Sequence, residues 1–289
     1  MSLAKIAKIG LATYSFRHEL KKGTLSLKEI FRVLKHLEMY GLGLHHSHFE
    51  DKNLPSIVEE AKSYDLTIYG LGPSGDLIAT ADKQEKIINN YKRYIDLAGD
   101  NGIPYVRAFM MGHVYLLNRL IGRKKQFQMA VETIRPLVKS AEERNVSLSI
   151  ESHWKFSSDI PFMKQILDQF PSKALGWLYD FGNYYSEEDR WAALDLIKEK
   201  RLNYVHAKIY AFNKIGFESK LDYMKLVKEL KKADYAGIYS IEFEGKLPDM
   251  EGVAKSYELL KHCMYKDAHH LNPNPNIKTL WEIAKKNQE

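Results

Sequence analysis

The chain has 289 residues, is 45% hydrophobic and 28% charged, and carries a single cysteine, Cys263. That length suits one α/β barrel, the composition is that of an ordinary globular protein, and a lone cysteine excludes an internal disulfide and fits a reducing compartment. The formal charge of +6 invites a nucleic-acid reading, but the lysines are mixed with acids, as in Lys198-Glu199-Lys200-Arg201 near Glu187-Glu188-Asp189, and no basic block stands beside an aromatic platform.

The first residues contain lysines but no uninterrupted apolar run before a small-residue cleavage site, so no signal peptide is expected. No run reaches the roughly 18 apolar residues a membrane span needs, so no membrane partner is expected and the cytoplasm is the expected location.

A first strand is expected over 6–14. Segment 25–40 reads as an amphipathic helix with Leu27, Ile30, Phe31, Leu34 and Leu37 on one stripe and Thr24 placed to cap it. Strands follow at 42–46 and 66–72. A helix over 82–102 carries Ile87, Ile88, Tyr91, Tyr94 and Ile95 inward and stops at Asn101-Gly102. After a strand at 105–110, the helical pattern of 124–145 contains Pro136, which predicts a kink or a break. Strands at 146–152, 175–180, 203–209 and 238–245 then alternate with helices around 160–170, 187–200, 222–235 and 250–265.

Strand followed by helix, eight times over, predicts parallel β with helical crossovers. A doubly wound open sheet competes, but no glycine-rich phosphate loop follows the first strand. The expected fold is α/β, a single (β/α)8 TIM barrel over 1–270. The stretch LNPNPN (271–276) begins a C-terminal extension, 271–289, whose short helix packs across the barrel or onto a neighbouring subunit in a homo-oligomer.

In such a barrel the catalytic groups come from the C-terminal ends of several strands. Glu151 ends the fifth strand, Asp180 ends the sixth, His206 lies on the seventh and Glu242 on the eighth, each about one βα unit from the last. All four are expected on one rim. Buried carboxylates are costly unless paired or bound to a metal, and three of them beside an imidazole repel one another without a cation. One divalent ion is therefore expected. A donor set of oxygens with one nitrogen puts Mn²⁺ first, with Mg²⁺, Co²⁺ and Zn²⁺ as alternatives.

Other residues carry two readings each. Arg107 and His113, near the fourth strand end, would greet an anionic group or form a surface salt bridge. Tyr14 offers a hydroxyl to the pocket or packs in the barrel. Phe16 and Trp154 form an apolar wall for a substrate or pack the rim. In His45-His46-Ser47-His48, strand alternation puts His46 and His48 on one face and His45 on the other, which favours pocket lining, with His46 in the substrate site, or exposure to solvent over a second metal site.

The segments LSIESHW (148–154), YDFGN (179–183), YVHAK (204–208) and GIYSIEFEG (237–245) resemble the metal-binding strand ends of the xylose-isomerase-like TIM barrels. That superfamily includes sugar-phosphate isomerases/epimerases, ketose 3-epimerases, inosose dehydratases, hydroxypyruvate isomerases and endonuclease IV (AP endonuclease family 2). The resemblance implies that Glu151 and Glu242 are metal ligands doubling as the catalytic acid/base pair, and that Asp180 and His206 are ligands. Lys208 would contact substrate or ligands, and His153 and Trp154 would line the pocket mouth.

Departures bear on the substrate. Where well-known ketose epimerases have His three residues past the sixth-strand aspartate, this chain has Asn183, a substrate contact of a different kind. Ser157, Phe212 and Ile209 likewise replace a Glu, an Arg and an Asp of the pattern. The expected activity is isomerisation or epimerisation of a small sugar, sugar phosphate or polyol through an enediolate, with a dehydratase of the inosose or dehydroshikimate kind as the alternative. An abasic-site endonuclease and a non-catalytic binding barrel rank below these.

Overall fold

A computed structural model describes residues 8–112, 121–197, 201–265 and 268–286. Its strands are β1 (Lys8–Ala12), β2 (Gly41–His45), β3 (Thr67–Gly72), β4 (Tyr105–Ala108), β5 (Ser147–Glu151), β6 (Leu175–Asp180), β7 (Leu202–Ile209) and β8 (Ile238–Phe243). They close in sequence order into a barrel, and β8 pairs in parallel with β1 through Lys8↔Ile238 and Leu11↔Ile241. That pairing excludes the open sheet. β6 and β8 are buried at every position, as strands covered on both faces must be.

The helices are α1 (Arg17–Lys22), α2 (Leu27–His36), α3 (Leu54–Ser63), α4 (Ala81–Asp100), α5 (Arg123–Glu143), α6 (Ile160–Gln169), α7 (Glu187–Ile197), α8 (Tyr223–Lys232), α9 (Asp249–Tyr265) and α10 (Ile277–Lys285). Among them, α1 and α3 were not foreseen. In α3 only Leu54, Val58 and Ala61 are buried, so its stripe is faint in the sequence.

The chain divides into two compact units, residues 1–68 with 206–289 and residues 69–205, and the boundaries fall inside β3 and β7. In the first unit α2 starts two residues later than a Thr24 cap requires. Ser26 is the cap: its side chain accepts from the Glu29 amide while the Glu29 carboxylate accepts from the Ser26 amide at 2.7 Å. This reciprocal box satisfies two end donors at once, which a threonine two residues earlier cannot do. Thr24 instead donates its hydroxyl to the Glu19 carbonyl. The extension helix α10 buries Leu280 and Ala284, and Arg32 of α2 donates to the Ala284 carbonyl at 2.7 Å.

In the second unit α5 runs through Pro136 without a break. Proline forfeits one helical hydrogen bond, at a cost of about 3 kcal/mol. The eight side chains that α5 buries, among them Met129, Ile134, Leu137 and Val138, outweigh that loss at roughly 1.5–3 kcal/mol for each large apolar group. β4 and β5 pair in the register Arg107↔Ser149 and Ala108↔Ile150, which sets the neighbours described next.

Candidate functional site

Glu151, Asp180, His206 and Glu242 are all buried, and one ligand atom from each lies within 4.8 Å of those of the others. Strand alternation explains the arrival. In β5 and β8 the glutamate follows an apolar residue, Ile150 or Ile241, that takes the opposite face, so each carboxylate points inward at its strand end.

The charges inside the barrel are more evenly matched than the sequence reading allowed. Arg107 on β4 is itself buried, and its Nη1 donates to Glu151 Oε2 at 3.0 Å. Its guanidinium carbon lies 4.2 Å from the centre of the Phe109 ring. Gly72, at the end of β3, makes room for it: a Cβ there would stand 3.1 Å from both Arg107 Nε and Nη2. On β7 the fully enclosed Lys208 places Nζ 2.5 Å from Glu242 Oε2 and 3.1 Å from Glu244 Oε2. His206 Nδ1 is 3.2 Å from the same Glu242 oxygen. Asp180 Oδ1 accepts from the amides of Gly182 at 2.7 Å and Asn183 at 3.1 Å.

The mutual repulsion expected of the three carboxylates is therefore reduced, in part by Lys208, the residue expected to contact substrate or ligands. Arg107 and Lys208 offset two of the three buried carboxylates, and Glu244, partly open to solvent, adds a fourth. The balance remains negative. Three carboxylates and one imidazole with converging ligand atoms form a donor set that suits a hard or borderline divalent cation, so the residues present fit the ion.

The other expected site residues are placed as follows. Arg107 makes a buried ion pair rather than a surface one; His113 lies outside the described residues. His153 places Nδ1 3.0 Å from Met111 Sδ and stacks edge-on against Phe109 at 4.8 Å. Asn183 is buried, and its carbonyl accepts from the Trp154 amide at 3.3 Å and the Ser158 hydroxyl at 2.6 Å. Trp154 has φ 61° and ψ 171°, a region nearly closed to side-chain-bearing residues, and its ring packs 5.2 Å from that of Tyr185. Phe16 is fully buried; Tyr14 is half-buried, its ring 5.2 Å from that of His45.

The histidine cluster departs from the expected alternation because residues 46–48 form a 3₁₀ turn, not a strand. The turn brings the ring of His45 to 4.1 Å from that of His46 and 5.3 Å from that of His48. His48 Nδ1 pairs with Thr13 Oγ1 at 2.9 Å, and burial, with His46 nearby, pushes its pKa down to about 4.

Three participants escaped the sequence reading. Glu244 shares Lys208, and the alternation Glu242-Phe243-Glu244 signals it. Gly72 admits Arg107, which no motif announces. Asp76 organises the loop after β3, its carboxylate accepting from the amides of Ile78, Met111 and Gly112.

Residues 34–263 match the family described as xylose isomerase-like TIM barrel. No curated protein matches the sequence significantly. Among solved structures, the chain is similar to the IOLI protein with a bound zinc atom (TM-score 0.72, 14% identity, 90% of this chain and 98% of that one). It is also similar to the D-psicose 3-epimerase of Clostridium cellulolyticum H10, solved with D-tagatose (0.68, 15%, 90% and 98%). The probable 3-DHS dehydratase AsbF of Bacillus anthracis is a third such structure (0.68, 18%, 88% and 98%). At these identities the likeness is one of fold. With the family match spanning most of the sequence, the chain belongs to the xylose isomerase-like TIM barrels.

Proposed function

We propose that the protein is a divalent-metal-dependent isomerase or epimerase of a small sugar, sugar phosphate or polyol. The observation that carries this reading is the buried quartet of Glu151, Asp180, His206 and Glu242, whose ligand atoms converge while two of its carboxylates sit on separate strands. The fold neighbours that include a ketose epimerase support it.

When bound, the ion would polarise a substrate carbonyl and steady the negative charge of an enediolate. The chain's own residues supply the proton traffic. Glu151 removes the proton next to the carbonyl, and Glu242 or Glu151 itself returns one. Return to the other face epimerises the carbon, and return to the neighbouring carbon isomerises the sugar. Arg107 holds the Glu151 carboxylate by one oxygen, and Lys208 does the same for Glu242, so both bases are oriented before substrate arrives. Mn²⁺ is the first choice of ion, with Mg²⁺, Co²⁺ and Zn²⁺ behind it.

The test is deuterium wash-in from heavy water, followed by NMR over a panel of ketoses, aldoses and inososes with the Mn²⁺-loaded protein. Exchange at one carbon, lost in Glu151→Gln, is the expected result. A fully active Glu151→Gln variant overturns the reading, and a product lighter by one water reassigns the site to a dehydratase, the chemistry in the description of one fold neighbour.

A further inference from the structure

Glu244 stands one residue beyond the end of β8, yet its backbone still follows the strand. Its amide donates to the Ile209 carbonyl, at the end of β7, at 2.9 Å, which carries the pairing of the two strands one residue further. Gly245 follows, where the chain runs too close to its neighbours for a side chain. A Cβ there would stand 2.3 Å from the Tyr210 carbonyl oxygen and 2.5 Å from the Phe243 ring. On the β7 side the Tyr223 hydroxyl, at the start of α8, donates to the Lys208 carbonyl at 2.8 Å. Glu242 and Glu244 are two residues apart and share a face, so both carboxylates reach the one ammonium that this backbone presents to them.

The three side chains differ in their access to solvent: Lys208 is 1% exposed, Glu242 3% and Glu244 29%. Lys208 Nζ lies 2.5 Å from Glu242 Oε2, the oxygen that is 3.2 Å from His206 Nδ1, and 3.1 Å from Glu244 Oε2. Glu242 therefore faces two demands. It belongs to the quartet whose ligand atoms converge, and it also compensates a buried ammonium. A carboxylate oxygen drawn toward a divalent ion has less to offer an ammonium, and a buried ammonium deprived of its compensation is costly. Among the described residues Glu244 lies outside the converging quartet, so an ion there leaves its hold on Lys208 intact.

We infer that Glu244 is a positioning residue for the metal site: it holds the Lys208 ammonium while Glu242 serves the ion, so that a buried lysine and a divalent ion share one glutamate. This inference rests on the metal-binding part of the function proposed above and adds a residue from outside the ligand set. Without Glu244, the ammonium and the ion compete for Glu242 alone. With it, the lysine keeps a partner whichever way Glu242 is engaged, and the ion binds at a smaller cost.

The experiment is isothermal titration of the full chain, stripped of metal with EDTA and dialysed, with Mn²⁺ alone. Glu244→Gln keeps the length of the side chain and removes its charge. It is expected to bind Mn²⁺ about tenfold more weakly than the wild type. In the Lys208→Met background the same substitution should cost about twofold or less, because no ammonium remains to be held. Lys208→Gln repeats the cycle if the methionine variant fails to fold. Melting curves without metal read any structural role separately, and Glu244→Gln should stay close to the wild type there, since Glu242 still faces Lys208. Unchanged Mn²⁺ affinity in Glu244→Gln overturns the inference. So does the same fold-loss with and without Lys208, which would make Glu244 a charge acting on the ion directly, and so does a metal-free melting temperature lowered by many degrees. A wild type that binds no Mn²⁺ overturns the metal reading and this inference together. A protein that shows the expected coupling and never exchanges a proton would sink the isomerase reading and leave this one standing.

Discussion

Arg107 and Glu151 form an ion pair of 3.0 Å in which neither partner reaches solvent to any useful extent. Such a pair contributes little net stability, since desolvating both charges consumes most of the attraction, but removing one partner leaves a bare buried charge. Arg107→Met should therefore destabilise the metal-free protein by about 3 kcal/mol. A saturating divalent ion restores a counter-charge to Glu151, so the deficit should shrink when urea melts are repeated with Mn²⁺. A deficit of the same size with and without metal would show that Glu151 does not feel the ion.

Lys208 makes a different prediction. Its ammonium occupies the same Glu242 oxygen that approaches His206, at 2.5 Å. A fixed positive charge beside a cation site opposes the incoming ion, and at protein-like dielectric two charges about 4 Å apart interact by several kcal/mol. Lys208→Met should accordingly bind a divalent ion more tightly, by about tenfold or more, while losing turnover because Glu242 is no longer held. Isothermal titration with Mn²⁺ checks the first half and the heavy-water assay the second. Weaker metal binding would instead make Lys208 a brace for the ligand geometry.

Metal removal should lower stability by mass action. An ion present at a hundred times its dissociation constant stabilises the fold by about 2.7 kcal/mol. Adding EDTA should then lower the melting temperature of the wild type, and should hardly change that of an Asp180→Asn, His206→Asn double variant. A wild type whose melting curve ignores both EDTA and added Mn²⁺ would argue that the quartet holds no ion.

The quartet was legible because each member is an anomaly: an ionisable group at the end of an otherwise apolar run, repeated at the βα spacing. Lys208 was named as a contact for substrate or ligands and Arg107 as a partner for an anion, but which carboxylate each one meets was not legible, for a geometric reason. Arg107 meets Glu151 only through the β4–β5 register, which pairs Arg107 with Ser149 two positions earlier, and no pattern within either strand encodes that offset. At 45–48 alternation is no guide to the faces, because it holds only while the chain stays extended, and a 3₁₀ turn begins at His46. Of the kink or break expected at Pro136, the continuous α5 excludes the break. A local rule against proline in helices yields when the rest of the helix buries enough apolar surface.

Two half-buried groups should shape the pH dependence of stability, with opposite signs. His48 has its pKa lowered from 6.5 to about 4 by burial and then by His46, so the folded state prefers the neutral ring. Its contribution is complete above 6.5 and is lost as pH falls through 4. Glu19 has its pKa raised from 4.5 to about 7, by burial first and then by the carboxylate of Asp249, so the folded state prefers the protonated acid. That contribution is complete below 4.5 and is lost as pH rises through 7. His48→Gln should flatten the acid limb of a stability-versus-pH curve, and Glu19→Gln should flatten the decline toward neutrality. Urea midpoints at half-unit pH steps resolve the two. If either variant keeps the wild-type slope in its own window, that group is not responsible for it.

Gly72 offers a test of whether room, rather than charge alone, sets the Arg107–Glu151 pair. A methyl group there would sit 3.1 Å from two guanidinium nitrogens, closer than such contacts normally lie, so Gly72→Ala should push Arg107 away from Glu151. Overpacking of this kind costs about 1–3 kcal/mol. The informative quantity is its coupling to Arg107→Met. If the glycine acts by admitting the guanidinium, the double variant should be no less stable than Arg107→Met alone, because the crowded group is already gone. Independent, additive losses in a double-mutant cycle would mean that Gly72 serves the β3 backbone and not the ion pair.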